Sequence, residues 1–372
     1  MGSWFSLQSN LSDYLIYWED TLDDNMIDNA TFRFCNKDNI RHVISILIPF
    51  MYWLAFIIGA LGNSLVILVY WFCTRIKTMT DMFLLNMAIA DLLFTCTLPF
   101  WAIAIADQWK FHNLACKVVS SMYKMNFYCF VLLIACISWD RYLAIAQATK
   151  EWTPRWRSLK KSKIICFIVW GLAISSSLPE ILYSEVKELS NISICTSVYP
   201  KNKNPKLKSI ILILRESLGL ILPFVIMICC YAIVIHTLIQ AKKSPRRQAL
   251  KIIIIVLTNF VLSQFPYNCV LLVQALDANI YFISSCELSI EMDKILQSTQ
   301  VMAFLHSCAN PIFYLILGRR FRQDICKILR KLSCFPQTQC VLFSWRQSSS
   351  STSSMCPTET TVFQSHPFRK TS

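Results

Sequence analysis

Seven apolar stretches, each about as long as a bilayer is thick, leave this 372-residue chain little architectural choice. They run roughly over 44–71, 81–106, 114–147, 164–183, 209–239, 250–276 and 295–317. Lipid offers no partner to a backbone N–H or C=O, so segments that cross it must close their own hydrogen bonds. The expected fold class is an all-α membrane protein: a seven-transmembrane helix bundle with a short amphipathic eighth helix. The third and fifth stretches exceed what the hydrocarbon requires and are expected to tilt or project beyond it. A soluble domain would not be 55% hydrophobic.

The net charge of +14 raises nucleic-acid binding, but its distribution points elsewhere. Lys and Arg cluster between stretches and behind the last one: Lys150 to Lys163, Lys242 to Lys251, Arg319 to Lys331, with Arg75 and Lys77. All fall on one side if the N-terminus is outside, as the positive-inside tendency requires. Membrane topology accounts for the basicity, and no nucleic-acid partner is expected. Residues 1–40 lack the basic start and apolar core of a cleavable signal, so the first span is expected to act as the anchor. Sequons at Asn10, Asn29 and Asn191 fall in segments this topology places outside, as glycosylation requires. The expected location is the plasma membrane, multi-pass.

Four regions are expected: an extracellular acidic arm over 1–42, the seven-helix domain over 43–318, an amphipathic juxtamembrane helix over 319–333 and a cytoplasmic tail over 334–372. The arm carries Asp13, Glu19, Asp20, Asp23, Asp24 and Asp28, with Tyr14 and Tyr17 among them and no Lys or Arg before residue 32. A solvated tail is the bland reading. A sign opposed to the rest of the chain favours an arm that steers a basic soluble partner, with Tyr14, Tyr17, Asp20, Asp23 and Asp24 as contacts. Acid-flanked tyrosines are also candidates for sulfation. Phe321, Ile325, Ile328, Leu329 and Leu332 recur at near-helical spacing among basic residues, which suits a helix lying on membrane lipid. Cys334 and Cys340 follow as candidates for palmitoylation. Clustered Ser and Thr (Ser348 to Ser351, Ser353, Ser354, Thr358, Thr360, Thr361) mark a phosphorylation tail.

About half of the 17 cysteines lie inside apolar stretches, where they act as small hydrophobes. Cys35, Cys116, Cys195 and Cys286 fall outside, in an oxidising compartment where two bonds are expected. Four cysteines allow three pairings, and spacing does not choose among them. There is no CxxC or HxxxH spacing for zinc, and His236 and His306 look isolated, so neither an enzyme nor a cofactor is expected.

Asp140-Arg141-Tyr142 ends the third stretch and Asn310-Pro311-Ile312-Phe313-Tyr314 ends the seventh. Charge at a membrane helix end is costly without a task, and a proline inside a helix bends it. With Gly62-Asn63-Ser64-Leu65-Val66, Leu85 to Asp91, Trp170, Pro223 and Tyr231, the chain resembles the rhodopsin-like G-protein-coupled receptors. Thr97-Leu98-Pro99-Phe100-Trp101, Trp109, Cys116 and His306-Ser307-Cys308 make it similar to the chemokine receptors. The runs Thr78 to Asn86 and Leu262 to Asn268 narrow the likeness within the C-C type, which implies the thymus-expressed C-C chemokine as ligand.

The resemblance implies a secreted basic chemokine outside, a heterotrimeric inhibitory G protein inside, and arrestin and receptor kinases at the tail. It implies the pairs Cys116–Cys195 and Cys35–Cys286, and a ligand pocket lined by Tyr52, Trp101, Tyr123, Tyr267 and Gln300. Activation and coupling are implied for Asp91, Asp140, Arg141, Tyr142, Tyr231, Pro266, Asn310, Pro311 and Tyr314, with a possible sodium ion at Asp91 and Asn310. Asp140 is expected to hold Arg141 at rest. Four departures stand out: Phe130 where a small side chain is usual, Trp139 where an aliphatic one is, Gln264 where many members keep tryptophan, and Gln300 where many keep glutamate. Asn259 is unusually polar for the sixth span and is expected to hydrogen-bond a neighbouring helix or to bias activation. The alternative function is an atypical, scavenging chemokine receptor without G-protein signalling. Phe304 stands where a retinal-binding lysine would be needed, which excludes a light sensor, and no duplicated halves suggest a transporter.

Overall fold

The computed structural model describes residues 38–72, 78–146, 158–189, 192–197, 221–236, 239, 244–280, 285–317 and 321–325. The elements are α1 (Asp38–Phe72), α2 (Met79–Thr95), α3 (Leu98–Ala106), α4 (Asn113–Ala146), α5 (Leu159–Ser176), α6 (Leu178–Tyr183), β1 (Ser184–Leu189), β2 (Ile192–Ser197), α7 (Ile221–His236), α8 (Ser244–Ile280), α9 (Cys286–Leu317) and α10 (321–325). His42–Phe72, Met79–Ala106, Asn113–Leu143 and Leu250–Gln274 are long and apolar enough to cross a membrane. The acidic arm with Asn10, Tyr14, Tyr17, Asp20, Asp23, Asp24, Asn29 and Cys35 lies outside the described residues, as do Asn191, Cys334, Cys340 and the tail.

Proline and hydroxyl chemistry sets several boundaries. Thr78 caps α2: its side chain accepts from the Asp81 N–H and the Asp81 carboxylate accepts from the Thr78 N–H. The second apolar stretch, expected to be continuous, breaks at Cys96–Thr97. Pro99 opens α3 and Thr97 Oγ1 donates to the Phe94 carbonyl at 2.6 Å. The fourth stretch begins earlier than expected, with Ser158 capping α5, and breaks at Ser177 ahead of Pro179. The seventh also starts earlier, at Cys286, because its charged first turns project past the apolar run and carry a Lys294–Glu291 pair at 2.5 Å.

An antiparallel hairpin, β1 with β2, caps one end, with Val186 opposite Cys195. Sequence reading places only a loop there. The Cys116–Cys195 disulfide ties the hairpin to α4, as the resemblance implies. Trp109 N donates to Ser193 O at 2.9 Å, and Val186 N to Asn113 Oδ1 at 3.0 Å. The hairpin is thus fixed on both strands.

The bundle has an apolar core like a soluble fold but an apolar exterior as well, with a few polar groups buried inside. Phe50, Leu61, Trp71, Phe167, Ile228 and Leu262 face outward, while Asp91, Asn126, Gln264, His306 and Asn310 are buried. α1 packs on α2, α3 and α9, α4 on α2 and α5, and α8 on α9. Two glycines let α1 come close. A Cβ at Gly59 would collide with Thr95, and one at Gly62 would lie 2.8 Å from Pro311 Cβ. Of the expected juxtamembrane helix, 321–325 is described and helical, with Ile325 buried and Phe321 packed on Tyr314.

Gly62→Ala is expected to destabilise the bundle by about 1–3 kcal/mol, because neither Pro311 nor the α1 backbone can give way. Thermal unfolding of the purified chain reads this as a lowered midpoint. Gly171→Ala is the control, since a Cβ there meets nothing within 4 Å, and its midpoint should hold or rise.

Candidate functional site

At the end of the bundle that carries the hairpin, Tyr52, Trp101, Tyr123, Tyr267 and Gln300 are brought together but hardly exposed, between 0% and 7% each. The rings that the resemblance implies for the ligand pocket pack on one another. Their centre is Phe304, which the sequence reading weighed only as a missing lysine. Its ring lies 5.4 Å from Tyr52, 6.2 Å from Trp101, 5.2 Å from Tyr123 and 6.4 Å from Tyr267. Such pairs add about 0.5–1.5 kcal/mol each beyond burial, so the cluster is a cohesive plug. It still has polar handles. Tyr52 Oη, Trp101 Nε1 and Trp109 Nε1 are buried and have no hydrogen-bond partner among the described residues.

Beneath the plug, Gln264 fills the position where many relatives keep an indole. A carboxamide in a membrane core must be satisfied, and this one is. Tyr123 Oη donates to Gln264 Oε1 at 2.7 Å; Gln264 Nε2 donates to Ala303 O at 2.9 Å and lies 3.0 Å from His306 Nδ1. Three helices, α4, α8 and α9, therefore meet at one side chain. His306 adjoins this carboxamide and belongs to no metal-ligating group among the described residues. Its ring is packed by Phe94, Phe130 and Phe260 and its Nδ1 also contacts Ala303 O at 2.6 Å. Phe130 stacks on Phe260 at 4.1 Å with planes 5° apart, so the bulky residue joins α4 to α8.

Asp91 lies one layer deeper and is fully buried. Asn126 Nδ2 donates to Oδ1 at 2.9 Å and Asn310 Nδ2 to Oδ2 at 2.7 Å. Asn126 escaped the sequence reading; its polarity inside an apolar span was the available signal. Pro311 has no N–H, which leaves the Ser307 carbonyl without its helical partner. Asn63 Nδ2 donates to that carbonyl at 3.0 Å and joins α1 to α9. Sodium, which the resemblance implies here, would find the Asp91 carboxylate with Asn126 Oδ1 and Asn310 Oδ1, both buried and without another partner among the described residues. That all-oxygen donor set fits a hard cation, though both carboxylate oxygens already accept an amide N–H. Among the described residues, no group of three or more His, Cys, Asp or Glu could hold a metal.

At the opposite end, Asp140 and Arg141 meet through a residue the sequence reading passed over. Thr80 Oγ1 donates to Asp140 Oδ2 at 2.6 Å and accepts from the Arg141 guanidinium, which stands 3.8 Å from Asp140 Oδ2. Thr80 sits in the first turn of α2, placed there by the Thr78 cap. Tyr231 Oη donates to Thr258 Oγ1 at 2.6 Å, joining α7 to α8, and Tyr314 Oη to Met87 Sδ at 3.7 Å. Tyr142 does not join this group and stacks on Trp139 instead. Pro266 and Pro311 lie within α8 and α9. Asn259 Nδ2 is buried and makes no hydrogen bond among the described residues, where a bond to a neighbouring helix was the favoured expectation.

The family described as 7 transmembrane receptor (rhodopsin family) matches residues 62–314. C-C chemokine receptor type 9 of Homo sapiens is 59% identical over 335 residues, covering 90% of this chain and 91% of that protein. C-C chemokine receptor type 6 of Homo sapiens is 40% identical over 303 residues, 81% of this chain and 80% of that protein. Atypical chemokine receptor 4 of Bos taurus is 34% identical over 329 residues, 88% of this chain and 91% of that protein.

Asn259→Leu removes a buried donor without a partner, and should raise stability by about 1–3 kcal/mol. The check is the thermal midpoint of the variant in the same detergent; a fall would mean that the carboxamide is bonded after all.

Proposed function

Because the chain belongs to the rhodopsin family of seven-transmembrane receptors, and within it to the chemokine receptors, we propose that it signals the arrival of a C-C chemokine through an inhibitory G protein. It is a multi-pass plasma-membrane protein and not an enzyme. The proposed ligand is the thymus-expressed C-C chemokine, the reading that follows from 59% identity to a type 9 receptor. The fold proposed is a seven-helix bundle, with α2 and α3 forming one span and α5 and α6 another, and an eighth helix on the inner surface. The basic chemokine is taken first by the acidic arm, then inserts its terminus towards Tyr52, Trp101, Tyr123, Tyr267 and Gln300. Arrestin and receptor kinases act at the Ser/Thr-rich tail.

The observation that carries this reading is the path of contacts from one end of the bundle to the other. The plug around Phe304 touches Tyr123; Tyr123 bonds Gln264; Gln264 and His306 adjoin the Phe130–Phe260 stack. Beyond that lie the Asp91–Asn310 centre and the Asp140–Thr80–Arg141 latch. A ligand that parts the plug disturbs Tyr123 and so the bond to α8, and release of Arg141 would open a cleft for a G-protein tail. A ligand shifts such an equilibrium only by its differential affinity for the two states. Asp91, Asn126 and Asn310 would hold the sodium ion, whose positive charge would offset the buried carboxylate of the resting state. The second reading, a scavenging receptor, is favoured by Gln264 and Trp139 alone. It gives the latch no task.

The test is inhibition of cAMP production in cells expressing the chain, with labelled-ligand uptake measured in parallel. A response to the thymus-expressed chemokine that vanishes when inhibitory G proteins are blocked is the expected result. Arg141→Ala should abolish that response and leave chemokine binding at the surface within about twofold. Uptake without any cAMP response would favour the scavenger instead.

The Cys35–Cys286 bond, proposed to tie the arm to the start of α9, has its own check. Cys286 is disulfide-bonded. Cys35→Ala and Cys286→Ala should weaken chemokine binding equally, and the double variant should lose no more than either. Unequal losses, or additive ones, would rule the pairing out.

A further inference from the structure

Trp139 precedes the buried latch, yet faces away from it. Ile137 and Ser138 are fully buried and Asp140 is 3% exposed, whereas Trp139 is 55% exposed. It lies about one helical turn before Leu143, where the apolar span of α4 ends. Residues three apart share a helix face, and Tyr142 packs on it with ring centroids 5.5 Å apart. Neither Trp139 Nε1 nor Tyr142 Oη makes a hydrogen bond within the described residues. An exposed indole and a half-buried phenol, neither donating to another described residue, therefore share one face at the end of a membrane span.

Such a pair fits one solvent better than its alternatives. In water the indole would leave its large apolar face wet, and deep in hydrocarbon its N–H would go without an acceptor. The headgroup boundary satisfies both, with acyl chains against the ring and ester or phosphate oxygens at the donors. α5, which packs on α4, exposes Ile164 and Phe167 as well.

We propose that Trp139 and Tyr142 bind glycerophospholipid at the inner membrane boundary and fix the depth of α4, thereby positioning the Asp140–Thr80–Arg141 latch. Without the indole, the inner end of α4 loses its anchor at the headgroup level, and Arg141, two residues on, is held less firmly against Thr80. Trp139 is a positioning residue, acting on Arg141 through the backbone of one helix. The idea requires only that α4 cross a membrane and rests on the topology proposed above solely for which leaflet is met. It stands whether or not the chain activates a G protein.

The test uses the full chain in phosphatidylcholine bilayers and needs no ligand. Tryptophan emission is compared between the chain and Trp139→Phe, in lipid brominated either near the headgroup or near the acyl-chain end. The difference emission, which isolates Trp139, should be quenched at least twofold more by bromine near the headgroup. Equal quenching at both depths, or none, would overturn the proposal, and none would point to a protein partner on that face. In parallel, the thermal midpoint is followed across short-, medium- and long-chain phosphatidylcholine. Trp139→Leu should make it more sensitive to chain length, and Trp139→Tyr, which keeps a ring with a donor, should restore the original profile. In detergent micelles, which have no fixed thickness, Trp139→Leu should match the parent. A loss of equal size in micelles would mean that the indole merely packs.

Discussion

Inside a membrane no water repairs an unmet hydrogen bond, and each polar group of this bundle is answerable to that constraint. The consequence is visible helix by helix. Pro311 denies the Ser307 carbonyl its partner, and Asn63 on α1 supplies one. Asp91 would be prohibitive alone, and two amides from α4 and α9 close around it. Gln264 would be a defect in an apolar helix, yet Tyr123 and Ala303 complete it. The groups that make the protein expensive to bury are also those that hold its helices in register.

This arrangement gives the molecule its capacity to switch. Apolar packing between membrane helices is weakly directional, because lipid tails are as good a partner as leucine. Directional bonds therefore decide which arrangement is preferred, and few are needed. Each is worth only about 0.5–1.5 kcal/mol net, so a ligand that breaks one or two can redistribute the populations substantially. The plug around Phe304 and the latch at Thr80 occupy opposite ends of such a system. Buried polar atoms without partners among the described residues, at Tyr52, Asn126, His306 and Asn310, mark where another arrangement could do better.

Helix existence was legible in the residues because run length and hydropathy report directly on lipid solubility. Helix ends were less so. Pro99 and Pro179 split stretches that read as continuous, since an apolar run says nothing about local backbone breaks. The hairpin over 184–197 was missed for a related reason: its register depends on Cys116, Trp109 and Asn113, all distant in sequence. Among site residues, Asp91, Asn310, Asp140, Arg141 and Gln264 could be found from polarity in apolar context. Thr80 and Phe304 could not be ranked that way, because a threonine and a phenylalanine are each ordinary until their neighbours are known.

Composition and pattern alone determined the class of solvent this chain meets, its orientation across the membrane and the short motifs that must sit near helix ends. Those follow from transfer free energies and charge, which are sums over residues and need no coordinates. Tertiary structure decided which polar groups pair, that the ring cluster is closed around Phe304, that Thr80 bridges Asp140 and Arg141, and that Trp139 turns outward. Pairing depends on distances between helices, and the phase of one helix against another is set by packing that no single segment encodes.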